Sequence, residues 1–197
     1  MTARLVVLIS GNGSNLQAIL DACASGELCA SVQAVFSNKA EAYGLVRARN
    51  AGLDAICVQK LKAETREEYD ARLAERVAAY MPDYIVLAGW MRILSSSFLS
   101  HFPDRVINLH PALPGMFPGT HAIERAYETY HDGDIDRTGV MVHLVPDEGV
   151  DNGPVLGQQE IGFQPDESLA QFEARVHEVE HKLLVATLKK LLEVKEY

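Results

Sequence analysis

Asn108 and His110 are two polar side chains, separated by one residue, that could stabilise a developing negative charge and move a proton. They end an apolar run that begins at Val106 and is typical of a buried strand. Alternate residues of a strand leave the same face, so the amide and the imidazole are expected to project together. The amide can donate a hydrogen bond to an oxyanion, and the imidazole can exchange a proton beside it. A turn-forming Asn next to a packed His would give the same pattern.

The segment after His110 is rich in residues that interrupt regular structure. Pro111 is followed by residues 112–119, which contain two further prolines and two glycines. Such a loop cannot form a strand or helix interior, so we expect it to run over a surface or a cleft. Further along, Asp151 begins an Asp-Asn-Gly-Pro sequence. Its carboxylate could face His110, orient the ring and favour the imidazolium, or it could serve only the turn.

A glycine-containing loop, residues 11–15, lies between the apolar run Leu5–Ile9 and a helical pattern. Glycines let a ligand approach the backbone, and the N–H groups of a helix start favour anions, so a monophosphate site is expected. The loop is not a dinucleotide fingerprint, because Leu16 stands where the third glycine belongs. The alternative is a tight turn in which Ser14 caps the helix, and Ser14 with Gln17 has the spacing of a capping box.

His110, His121 and His143 could suggest a metal site. Their spacing follows no local ligand motif, and no cysteine lies nearby in the sequence. We therefore predict that the protein holds no metal.

Residues 89–94 follow the fourth predicted strand. The apolar side chains of Met91, Ile93 and Leu94 fit plain core packing when the pattern alone is considered. Arg92 among them is harder to bury without a function, because an unpaired buried charge is costly.

Strand and helix patterns alternate through the first two thirds of the chain, which predicts right-handed crossovers and a parallel sheet. We expect one α/β domain spanning residues 1–197, with a doubly wound, mostly parallel sheet and helices on both faces. The last third should add an antiparallel edge, because residues 139–145 and 155–161 read as paired strands. Ligands of such sheets bind beyond the carboxyl ends of the strands.

Composition narrows the possible functions. The chain has 197 residues, 48% of them hydrophobic, and a formal net charge of −9. This charge disfavours binding to nucleic acid or to an anionic membrane. No apolar run is long enough to span a bilayer, and residues 1–4 lead into a strand without a signal peptide, so a cytoplasmic location is expected.

Several segments together resemble the phosphoribosylglycinamide formyltransferase family over nearly the whole chain. Asn108-Leu109-His110-Pro111 with the later Asp151 is shared by folate-dependent formyltransferases and related hydrolases. The glycine loop and Phe36-Ser37-Asn38-Lys39 resemble, more specifically, the corresponding segments of formyltransferases that act on glycinamide ribonucleotide. The remaining matching segments are Val86–Leu94 and Asp147–Pro154.

The resemblance implies a Rossmann-like formyltransferase fold, with a phosphate-binding half at about 1–105 and a catalytic and folate half at about 106–197. It implies that Asn108, His110 and Asp151 are catalytic. The residues implied to bind the ribonucleotide are Gly13, Ser14, Asn15, His177 and Glu180. The residues implied to bind folate are Arg66, Met91, Arg92, Ile93, Leu94, Asn108, Asp147, Glu148, Gly149, Val150 and Asp151. The chain departs from the family pattern at Leu113-Pro114-Gly115, at Asn152 and at His177.

The implied reaction moves the formyl group of N10-formyltetrahydrofolate, the co-substrate, to the amine of 5-phosphoribosylglycinamide during purine biosynthesis. The expected partners are these two small molecules, with no nucleic acid and no membrane, and the protein is expected to be a monomer or a homodimer. Hydrolysis of the same folate on the same trio is the nearest alternative. A nucleotide-binding module without chemistry is the other.

Overall fold

The computed structural model describes residues 2–193. Within that range the chain forms seven strands and six helices. The strands are β1 (Ala3–Ile9), β2 (Ala30–Ser37), β3 (Asp54–Cys57), β4 (Tyr84–Leu87), β5 (Val106–His110), β6 (Arg137–Leu144) and β7 (Val155–Gly162). The helices are α1 (Ser14–Ser25), α2 (Tyr43–Asn50), α3 (Arg66–Ala78), α4 (Ser96–Leu99), α5 (Ala122–His131) and α6 (Leu169–Glu193). None of these helices is long and apolar enough to cross a membrane.

All seven strands join one sheet in the order β3-β2-β1-β4-β5-β6-β7. The first five strands are mutually parallel, and β6 and β7 add antiparallel neighbours at one edge. The chain moves from β1 out to β3 and then returns to the other side of β1. This reversal confirms the predicted doubly wound, mostly parallel sheet with an antiparallel edge.

The two faces of the sheet bury separate apolar layers, because alternate residues of β1 point to opposite sides. Leu5, Val7 and Ile9 belong to the layer that includes residues of α1 and α6. Val6 and Leu8 belong to the layer that includes residues of α3 and α4. Every residue from Leu5 to Ile9 is fully buried, which explains why β1 reads as a continuous apolar run.

The starts of α1 and α3 are capped differently. Thr65 and Glu68 form a capping box at the start of α3, where both reciprocal hydrogen bonds are present. The box at Ser14 is wrong, because Gly13 takes the cap position with φ 75° and no side-chain cap bond forms. The Gln17 side chain instead donates to Asp21 over 2.9 Å.

The helix before β5 is short, because α4 covers only Ser96–Leu99. Ser95 has an extended backbone, and its N–H donates to the buried Asp70 carboxylate over 2.6 Å. This contact fixes the point at which the chain leaving β4 turns into α4.

Candidate active site

The carboxyl end of β5 places the Asn108 and His110 side chains against Asp151. Asn108 Nδ2 donates to Asp151 Oδ1 over 2.9 Å, and His110 Nδ1 lies 3.2 Å from Asp151 Oδ2. Asp151 reaches this position from the loop between β6 and β7, where its backbone has φ 51°. His110 is only 3% exposed. The three side chains therefore form one compact, largely buried cluster.

The orientation of the Asn108 amide follows from its two partners. Nδ2 faces both Asp151 Oδ1 and His143 Nε2, the latter at 3.1 Å. Turning the amide over would put its oxygen against a carboxylate, so the nitrogen must face Asp151. Both hydrogens of the amide are consequently directed at protein atoms.

His143 is a fourth member of the cluster, although the sequence suggested for it only the role of a metal ligand. It is 2% exposed and sits directly opposite Asn108 in the antiparallel pairing of β5 and β6. Its Nδ1 lies 2.8 Å from the Leu144 carbonyl oxygen, so the neutral ring carries its hydrogen there and accepts from Asn108 at Nε2. A protonated ring would instead direct Nε2–H to Asp151 Oδ1, 3.5 Å away.

The three histidines weighed as metal ligands do not converge. His121 pairs with Glu124 over 3.0 Å, and its side chain is 74% exposed. His110 and His143 face the Asp151 carboxylate from opposite oxygens.

The proline-rich loop after β5 folds back and contacts the cluster through its backbone. The Phe117 carbonyl oxygen lies 3.1 Å from His110 Nε2, and the Gly119 N–H donates to Asp151 Oδ2 over 2.8 Å. Both ring nitrogens of His110 therefore face oxygen atoms. The loop runs over a cleft, as its composition predicted.

Burial and charge act in opposite directions on this pair. Burial lowers the pKa of His110 below its ordinary value, and the Asp151 carboxylate opposes this effect without reversing it. Burial also opposes the charge of Asp151, but contacts with His143, the Gly119 N–H and His110 outweigh it and lower the pKa of that carboxyl. Asp151 therefore favours the protonated ring, but desolvation of the ring is the larger effect on the pKa of His110.

The cluster forms one wall of a cavity of about 890 Å³. The segment after β4 also lines this cavity, and there Met91 and Ile93 are 59% and 48% exposed. Their alternative assignment to the core is therefore wrong, whereas Leu94 is buried at 3%. The sequence-predicted folate residues that line this cavity are Arg66, Met91, Arg92, Ile93, Leu94, Asn108, Asp147, Gly149, Val150 and Asp151.

The charged residues around the cavity differ in the groups that they contact. The guanidinium carbon of Arg92 lies 4.7 Å from the centre of the Tyr69 ring. Glu148 does not line the cavity, because its carboxylate pairs with Arg66 and accepts from the Ser96 N–H over 2.8 Å. These contacts tie the loop after β6 to the starts of α3 and α4.

The glycine loop after β1 is held by a close backbone approach. Gly13 has φ 75°, and a Cβ atom there would lie 2.7 Å from the Cα of Gly44. The Gly44 N–H in turn donates to the Gly11 carbonyl over 3.1 Å. Two glycines from distant segments thus fix the loop at the start of α1.

Asn15, His177 and Glu180 meet where α1 packs on α6. His177 Nδ1 lies 2.5 Å from Glu180 Oε2, and Asn15 Nδ2 donates to the same oxygen over 3.5 Å. Hydrogen bonding to Glu180 raises the pKa of His177. His181 Nε2 and Asn15 Oδ1 are buried without a hydrogen-bond partner among residues 2–193, and His181 was not singled out from the sequence.

The two regions occupy the same edge of the sheet. Only β4 separates β1 from β5, so the ends of these two strands lie roughly 10 Å apart. Ser10, just after the end of β1, joins the glycine loop to the segment after β4. Its N–H donates to the Gly89 carbonyl over 2.9 Å, and its hydroxyl accepts from the Met91 N–H over 2.8 Å.

Comparison with known proteins assigns the chain to a family. Residues 3–188 match the formyl transferase family model. The phosphoribosylglycinamide formyltransferase of Dictyostelium discoideum is 46% identical over 204 residues, covering 97% of this chain and 98% of that protein. The chain belongs to the phosphoribosylglycinamide formyltransferase family. It is a formyltransferase, and the relatives compared with it are named phosphoribosylglycinamide formyltransferase or a synonym, or are longer purine biosynthetic proteins.

Two further members extend the comparison. The crystal structure of glycinamide ribonucleotide transformylase 1 from Symbiobacterium toebii superposes with a TM-score of 0.91 at 38% identity, covering 98% of this chain and 88% of that chain. The trifunctional purine biosynthetic protein adenosine-3 of Drosophila melanogaster is 39% identical over 180 residues, which cover 90% of this chain and 13% of that protein. The family thus includes both proteins of this length and segments of a much longer one.

Proposed function

We propose that this formyltransferase moves the formyl group of N10-formyltetrahydrofolate to the amine of 5-phosphoribosylglycinamide, as a step of purine biosynthesis. The observation that carries the proposal is the position of the Asn108, His110 and Asp151 cluster. It lies on the wall of a folate-sized cavity and two strands from an anion-binding loop. A reaction between a folate and a phosphorylated amine requires these three features together.

The cavity suits the formyl donor by size and lining. A volume of about 890 Å³ is within the usual range for cofactor-sized ligands. Met91, Ile93 and Val150 offer apolar surface to the flat pteridine ring system. Arg66 and Arg92 offer cations to carboxylates at the other end of a folate.

The loop of residues 11–15 suits the phosphate of the acceptor. The free N–H groups at the start of α1 favour an anion, and the absence of a side chain at Gly13 lets it approach the backbone. In this proposal Ser14 and Asn15 bind the phosphate, and His177 and Glu180 bind the ribose and glycinamide part. The unpaired Asn15 Oδ1 and His181 Nε2 supply further polar atoms there.

The chemistry needs no protein nucleophile. The neutral amine attacks the formyl carbon, and the carbonyl oxygen becomes an oxyanion that accepts hydrogen bonds from Asn108 and His110. The amine then loses a proton, with Asp151 assisting, and the bond from carbon to N10 breaks as that nitrogen gains a proton. The products are the formylated ribonucleotide and tetrahydrofolate, and the transfer involves no oxidation or reduction.

Substrate binding must exchange contacts within the cluster. Asn108 has only two amide hydrogens, and both are directed at Asp151 and His143. A formyl oxygen that accepts from Asn108 therefore replaces one of these partners. His143 is the partner whose loss leaves the Asn108 to Asp151 bond intact.

The test is tetrahydrofolate release with and without 5-phosphoribosylglycinamide. Release that depends on the ribonucleotide, with one formylated product per folate, is the expected result. Release that ignores the ribonucleotide would assign the protein to hydrolysis. Ligand binding without any release, unchanged by Asn108→Ala and His110→Ala, would identify a binding module.

A further inference from the structure

Arg125 on α5 lies outside the set of proposed substrate-binding and catalytic residues, yet it is bound to the loop that covers His110. Its Nη2 donates to the Phe117 carbonyl and to the Pro118 carbonyl, each over 2.7 Å. Its Nε also lies 3.4 Å from the His121 carbonyl oxygen. Three backbone carbonyls of an irregular segment therefore converge on one guanidinium.

The segment that Arg125 holds is the one that contacts the cluster. The Phe117 carbonyl oxygen is shared between Arg125 Nη2 and His110 Nε2. Two residues later, the Gly119 N–H donates to Asp151. The backbone there is unusual, with φ 45° at Phe117 and 57° at His121. Residues that carry a side chain rarely adopt this backbone conformation, so surrounding contacts must maintain it.

We infer that Arg125 is a positioning residue: it holds residues 117–121 so that the Phe117 carbonyl meets His110 and the Gly119 N–H meets Asp151. The kinetic consequence rests on the proposed function, whereas the structural consequence does not. A guanidinium suits this role because it stays charged and presents several donors in a fixed plane. A lysine has one nitrogen and cannot reproduce that planar array.

Loss of Arg125 should change the surroundings of His110 in a measurable way. The groups that face this ring are Asp151 from the loop after β6, His143 from β6 and Arg125 through the shared carbonyl. If the loop detaches, water reaches the ring and the effect of burial weakens. Detachment also removes the backbone contacts with Met116 and Phe117 that raise the pKa of His110, but burial is the larger effect, so this pKa should rise toward its ordinary value.

The experiment compares Arg125→Ala, Arg125→Lys and a matched control, Arg4→Ala. Arg4 also donates to a backbone carbonyl, that of Tyr80 over 2.6 Å, but at the opposite end of the sheet. Steady-state kinetics, melting temperature and NMR titration of the histidine rings, with His110→Asn for assignment, are measured on each.

Arg125→Ala should lower kcat by about ten- to hundredfold, as expected for a misplaced catalytic group, and leave the ribonucleotide KM within about twofold. Its His110 signal should titrate at higher pH, and Arg125→Lys should recover part of both changes. Arg4→Ala should keep the wild-type kcat and His110 titration even where its melting temperature falls.

An unchanged His110 titration in Arg125→Ala would overturn the inference, as would an equal kcat loss in Arg4→Ala. If Arg125→Ala does not fold, Arg125→Gln, which keeps an amide donor, is read in the same way. A wild-type protein without ribonucleotide-dependent transfer would refute the proposed function. The titration would still decide whether Arg125 positions His110.

Discussion

The catalytic cluster of Asn108, His110 and Asp151 and the region of the glycine loop use their buried polar atoms differently. Both hydrogens of Asn108, both ring nitrogens of His110 and both oxygens of Asp151 face protein atoms. Near the glycine loop, Asn15 Oδ1 and His181 Nε2 are buried without a hydrogen-bond partner in the described part of the chain. The polar atoms of the catalytic cluster are thus paired within the protein, whereas the region of the glycine loop has buried polar atoms that can still form hydrogen bonds.

This difference indicates what each region contributes. A buried polar atom without a partner costs about 1–3 kcal/mol, and a ligand that supplies the partner recovers that energy. Ribonucleotide binding at the glycine loop therefore adds interactions, whereas the formyl oxygen at the cluster must exchange them. Substitutions in the loop should mainly affect affinity, and substitutions in the cluster should mainly affect turnover.

Asp151→Asn should have the largest effect, because it removes the charge that contacts Asn108, His110 and His143. We expect kcat to fall by at least about 10²–10³-fold, while both substrate KM values stay within a few-fold. Asp151 raises the pKa of His110, so its loss should lower that pKa further. Residual activity should consequently increase as pH falls, in a pH series of kcat. Near-normal turnover at neutral pH would reduce Asp151 to a turn residue.

Gly13→Ala should have the next largest effect and should act on the other half of the site. The new Cβ would lie 2.7 Å from the Gly44 backbone, so the contact between the loop and Gly44 must change. Ribonucleotide affinity should fall about tenfold or more, the scale of a lost charge-assisted hydrogen bond, while folate affinity changes little. Calorimetric titration of each substrate measures both.

The matched control is Gly26→Ala. Gly26 has φ 78°, but a Cβ there meets nothing within 4 Å. Both variants should lose stability because a side chain must adopt the left-handed conformation, and only Gly13→Ala should lose ribonucleotide affinity. Equal affinity losses would show that the Gly13 contact does not shape the site.

His177→Gln should have the smallest effect and should depend on pH. Glu180 raises the pKa of His177 in the folded protein, so this pair stabilises fully below the unfolded pKa of roughly 6.5. That stabilisation is lost as pH rises through the folded pKa. The free energy of unfolding of wild type should exceed that of His177→Gln at about pH 6 by less than about 1 kcal/mol, since the side chain is half-exposed. A difference that grows toward alkaline pH would contradict the pairing.

Most of the fold could be predicted from the sequence because buried strands such as β1 and β4 are continuous apolar runs. Helix starts were less certain, because a left-handed glycine such as Gly13 replaces the side-chain cap that Ser14 suggested. The strand order also depends on crossovers that no local pattern records.

The candidate site could be predicted where its residues lie within one segment. Asn108 and His110 share a face of one strand, so their spacing alone placed them together. His143 could not be recognised, because its contact with Asn108 depends on the register of the antiparallel pair. Arg125 binds backbone carbonyls of an irregular loop, and such a contact leaves no pattern of side chains.

The most direct test of the account is a double-mutant cycle of kcat/KM for formyl transfer with His110→Asn, Asp151→Asn and the double variant. If His110 and Asp151 act as one unit, either substitution should remove most of what the pair contributes to catalysis. The double variant should then be little slower than the slower single variant. Losses that multiply would show that the two side chains act independently, which would contradict the proposed cluster.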